Sequence, residues 1–93
     1  MDESMTEHEE MIRGEEAERV LNNPIFIESF KKVKDGIISS MEQSALGDES
    51  THNRLVIALQ LLNKIERNIK EVAETGKMIK MQIEKPSFLQ RFK

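Results

Sequence analysis

From residue 55 to residue 83, apolar or small residues recur at Leu55, Ala58, Leu62, Ile65, Ile69, Val72, Gly76, Ile79 and Ile83. The steps alternate between three and four residues, which is the a/d seam of a helix packed along its length against other helices. At a rise of about 1.5 Å per residue that helix is roughly 42 Å long. A second stripe, Phe26, Phe30, Val33, Ile37, Met41 and Ala45, widened by Ile27 and Ile38, predicts another core-facing amphipathic helix. A third and narrower one runs through Met11, Ile12, Ala17, Val20 and Leu21.

The boundaries of these helices carry their own signals. Thr6 followed by Glu9 fits a capping box and starts the first helix near Glu7, with Glu7, Glu9 and Glu10 at the positive end of its dipole. Gly14 interrupts that helix, and a glycine costs about 1 kcal/mol relative to alanine in a helix interior, so fraying of the turns before it is expected. Asn23 before Pro24 reads as an N-cap and first helical residue. Leu46 and Gly47 end the second helix, and Ser50 or Thr51 caps the third. Pro86 disfavours α geometry at Lys85 and stops the third helix near Glu84.

The reading is therefore an all-α protein with helices at about 7–22, 24–46 and 51–84. Residues 1–5 form a flexible start, 6–85 a single helical domain and 86–93 a tail. The short connection makes the second and third helices a long antiparallel, coiled-coil-like hairpin. Around Val56, Ile57, Leu59 and Leu61 the third helix is apolar on more than one face. One partner helix does not cover that, so the first helix or a second copy is expected there, and a homo-oligomer is the expected form. Leu55, Leu62, Ile65, Ile69, Val72, Gly76 and Ile79 are the expected packing or oligomer seam. Gly36 and Gly76 are read as places where a neighbouring helix approaches closely.

Composition narrows the chemistry. The chain has 93 residues and no cysteine, which excludes disulfides, thiolate metal sites and thiol nucleophiles. Its apolar runs are too short to span a bilayer, so no membrane association is expected. The formal charge of −3 is unevenly spread, with an acidic start and a mildly basic end. His8 and His52 have no second histidine at ligand spacing, and Thr75, Gly76 and Lys77 lack the earlier glycine of a phosphate loop. No cofactor or metal is expected, and no nucleophile stands beside a base, so enzymatic activity is not expected. Lys64, Arg67, Lys70, Lys77 and Lys80 cluster along the third helix, but Glu66, Glu71 and Glu74 interrupt them, which argues against direct nucleic-acid binding by a monomer. Phe88, Leu89, Arg91 and Phe92 make a basic-aromatic tail that either docks on a partner or caps the open end of the hairpin in its own molecule.

Arg13, Gly14, Glu15, Glu16 and Ala17 leading to Leu21, Asn23, Pro24, Phe26 and Phe30, together with the later Glu74, Thr75, Gly76 and Lys77, resemble a group of short helical proteins of tailed bacteriophages encoded among head and packaging genes. The similarity covers about residues 12–80. It implies a non-enzymatic accessory of virion assembly or DNA packaging, with a small terminase subunit as one specific version. No catalytic residues carry over. The expected partners are other copies of the chain and other phage or host proteins, in the cytoplasm of the bacterial host or on the virion. The alternative is a small acidic inhibitor or adaptor that binds a host protein, its Glu-rich first helix imitating nucleic acid.

Overall fold

In the computed structural model the described residues are 5–90, with side chains described through residue 84. The protein is all-α: α1 spans Glu7–Asn22, α2 spans Pro24–Gln43 and α3 spans Glu49–Gln90, with no strand among the described residues. Two compact units divide the chain. The terminal unit consists of Met1–Leu21 with Ile69–Lys93, and the central unit of Asn22–Asn68. α3 contributes to both.

Local hydrogen bonding explains where each helix starts. The Thr6 amide donates to Glu9 Oε1 at 2.9 Å and the Glu9 amide donates to Thr6 Oγ1 at 3.1 Å, the reciprocal pair of a capping box. Those two bonds hold the Glu9 carboxyl below its ordinary value of 4.5, the backbone bond contributing most. Asn23 Oδ1 accepts from the amides of Ile25 (2.8 Å) and Phe26 (3.0 Å), and Pro24 takes the first helical position. At α3 the cap is Asp48, ahead of the expected Ser50 or Thr51: its carboxylate accepts from the Thr51 amide at 3.2 Å and its carbonyl from the His52 amide at 3.1 Å. A carboxylate at that position also complements the helix dipole.

Two helix ends differ from the sequence expectation. α2 stops at Gln43, short of residue 46, because both the amide and the hydroxyl of Ser44 donate to the Met41 carbonyl, at 3.3 and 2.8 Å. A serine hydroxyl that bonds a nearby carbonyl offers the backbone an alternative to the helix ladder. Ala45 thus leaves the apolar stripe and enters a turn in which the Asp48 amide donates to the Ala45 carbonyl at 3.1 Å. Gly47, at φ +90°, supplies the left-handed residue such a turn requires. α3, in turn, continues through Pro86 to Gln90. The proline forfeits one backbone bond, to the Gln82 carbonyl, and is tolerated in a helix otherwise continuous.

The core lies in the terminal unit, where α3 packs against α1. Gly14, Ala17, Ala73, Gly76 and Ile79 are the buried positions among the described residues. The small ones let two backbones touch. A Cβ placed on Gly14 would lie 2.7 Å from Gly76 Cα and 3.2 Å from the Val72 carbonyl oxygen; one placed on Gly76 would meet the Glu10 carbonyl oxygen at 3.1 Å. Val20 and Ala17 lie with Ile69 and Val72 along one shallow depression. Rising numbers in α1 therefore meet falling numbers in α3, and the two run antiparallel. Gly14 is a packing position rather than the start of a frayed end. A Cβ at Gly36 would meet nothing within 4 Å, so the close approach expected there does not occur among the described residues.

Candidate interaction site

The residues expected to form the seam fall into three environments. Gly76 and Ile79 are buried against α1. Leu55, Leu62, Ile69 and Val72 are half-buried. Ile65 is 54% exposed, and Ile57 and Leu61 are exposed to 53% and 59%. These three follow one another at intervals of four, so each step advances only about 40° round the helix and they form a single aliphatic stripe. The half-buried Leu55, Leu59, Leu62 and Glu66 lie on another side of α3.

The central unit has no buried residue. Its α2 presents Phe26, Phe30, Ile37 and Met41 half-buried, with the Phe26 and Phe30 rings 5.9 Å apart and tilted by 36°. Ile25, Ile27 and Val33 are at least half exposed. At the α2–α3 turn, Leu46 is fully exposed beside an open hollow of about 320 Å³ whose lining includes Met41, His52 and Asn53. Helix-breaking signals and exposed aliphatic side chains thus coincide in the central unit, while polar closure is left to the caps.

Electrostatics are local and modest. Lys77 Nζ meets Glu18 Oε1 at 2.6 Å across the α1–α3 contact. The Glu18 hydrogen bond, and then its charge, raise the Lys77 ammonium above its ordinary value of 10.5. This partner accounts for the lysine in the Thr75–Gly76–Lys77 sequence through packing, and Gly76 beside it serves the helix crossing. On α2, Lys31 pairs with Asp35 at 2.6 Å, and that hydrogen bond raises the lysine likewise. Both pairs face water, where screening keeps surface ion pairs weak. Among the described residues no group of three or more His, Cys, Asp or Glu could hold a metal ion, and no helix is long and apolar enough to cross a membrane.

Two positions of the α1–α3 contact, Gly14 and Ala73, were absent from the sequence-derived seam. Their signal was present as small residues spaced by three on each helix, Gly14 with Ala17 and Ala73 with Gly76. Of the expected tail residues, Phe88 and Leu89 lie inside the α3 bounds with side chains outside the described set, and Arg91 and Phe92 lie outside the described residues. Comparison of the chain with protein-family models, with curated proteins and with solved structures finds no match.

Proposed function

We propose that the protein is a non-enzymatic accessory of bacteriophage virion assembly or DNA packaging that works through helix–helix contacts as a homo-oligomer, with a small-terminase-like role as its specific form. In this reading α2 and the first part of α3 are an antiparallel, coiled-coil-like hairpin, closed by the Ser44–Asp48 turn and completed by further copies. One observation carries the oligomer: the central unit holds many apolar side chains and buries none of its residues fully. Small helical scaffolds without their own core normally gain it by association. The phage setting rests on the resemblance of residues 12–80, with Arg13–Gly14–Glu15–Glu16–Ala17 and Glu74–Thr75–Gly76–Lys77 at its ends.

A second reading, an acidic inhibitor or adaptor for a host protein, is favoured by the exposed Glu7, Glu9, Glu15 and Glu16 of α1. Light scattering coupled to size exclusion, at low and high salt, separates the two. An oligomer whose mass is unchanged by salt is expected, because apolar contacts are not screened. A monomer at every concentration would sink the assembly reading and favour the inhibitor, whose capture of a basic target would weaken steeply with salt.

A further inference from the structure

We propose that the Leu46–Gly47 peptide bond is a processing site for an endoprotease whose pocket takes a large aliphatic side chain, and that the cut chain stays joined through α1 and α3. An endoprotease binds its substrate as an extended strand, whereas the amides and carbonyls of a helix interior are already paired with one another. Between residues 7 and 84 the chain leaves helical structure only at Asn23 and at residues 44–48. Of the large apolar residues in that range, Leu46 alone stands outside a helix. Its side chain is fully exposed, so a pocket can enclose it without drawing it out of a core. Exposed turns between packed elements are where nicking concentrates.

The surroundings make extension easy. Residues 45–54 are all exposed, so straightening the turn and the start of α3 disturbs no buried side chain. The Ser44 bonds to the Met41 carbonyl have already ended α2 before Leu46 is reached, and the 3.1 Å bond from the Asp48 amide to the Ala45 carbonyl is the one that must open across the turn. Gly47 leaves its φ of +90° for an extended value without a Cβ to obstruct it. The reaction is hydrolysis: water supplies an oxygen to the Leu46 carbonyl carbon, the C–N bond breaks, and the Gly47 nitrogen leaves with a proton. The products are a 1–46 carboxylate and a 47–93 ammonium. α1 is then on one fragment and α3 on the other, but the Gly14–Gly76 backbone contact and the Lys77–Glu18 pair hold α1 on α3 without the severed bond. The cut therefore frees α2 from its covalent link to α3 and leaves the α1–α3 contact in place.

Chymotrypsin, whose specificity pocket is a hydrophobic slot, is the probe, used on the full chain in native buffer at low enzyme ratio. Mass spectrometry reads the first bond cut between residues 7 and 84. Cleavage after Leu46 is expected ahead of Phe26, Phe30, Met41 and Met78, which all lie within helices. Leu46→Asp, at a position that packs in no core, is expected to slow that cut at least about 10-fold with an unchanged circular dichroism spectrum, because an apolar pocket loses its aliphatic group. A first cut at any other bond between residues 7 and 84, or an undiminished rate in the variant, overturns the site. Fragments 1–46 and 47–93 are expected to co-elute in size exclusion and to part only in denaturant; fragments that part in native buffer overturn the joined product. The site does not depend on the assembly reading, so a chain that is monomeric in light scattering bears on that reading alone.

Discussion

The terminal and central units use the same helix, α3, in opposite ways. In the terminal unit small residues, Gly14, Ala17, Ala73 and Gly76, bring α1 and α3 backbones into contact and bury Ile79 to 8% exposure. In the central unit large residues predominate, yet none is buried. Apolar content therefore does not measure packing. Close packing needs shapes that interlock, and two glycines facing each other let the backbones of α1 and α3 meet. The first arrangement completes itself within one chain, whereas the second leaves apolar side chains exposed.

The comparison breaks most severely if the glycine contact is filled. Gly14→Leu is expected to cost about 3 kcal/mol or more, since its side chain must enter space occupied by Gly76 Cα and nothing there but backbone can give way. Urea unfolding followed by circular dichroism reads the loss; an unchanged midpoint would refute the contact. Next comes a matched pair of truncations. Ile79→Ala should cost about 2–4 kcal/mol, and Ile25→Ala, at a residue 68% exposed, no more than about 0.5 kcal/mol. Equal costs would erase the distinction between the units. In the opposite direction, Gly36→Ala should stabilise by about 0.5–1 kcal/mol, because the added methyl meets nothing and the helix gains from the loss of glycine's freedom.

The smallest effect concerns pH. Because Glu9 is held below 4.5 in the folded chain, its contribution is present above that value and fades as pH falls through the lower folded one. Loosening should begin at the start of α1, seen as faster amide exchange at residues 7–10 in acid, and Glu9→Gln should weaken that dependence. The same pH response in wild type and variant would remove the carboxylate from the cap.

Features governed by neighbours a few residues apart were legible in the chain. The Thr6–Glu9 box, the Asn23–Pro24 start and the left-handed Gly47 all depend on hydrogen bonds or dihedral limits within one turn, and each stands where local chemistry puts it. The end of α2, the Asp48 cap of α3 and the passage of α3 through Pro86 were the local exceptions. Ser44 bonds the Met41 carbonyl with two donors, and hydroxyl competition for a carbonyl leaves a weaker trace in a sequence than a glycine does.

By itself the sequence determined three helices and the polar caps of the first two. Only the tertiary structure decided which apolar positions are covered. Periodicity places residues on a face but carries no information about how near another backbone comes. Gly14 reads as a defect along α1 alone and as an essential gap once Gly76 lies against it. Ile65 and Ile69 read alike in the a/d repeat, but one is exposed and the other half-buried, because Ile69 lies beside Ala17 and Val20 of α1.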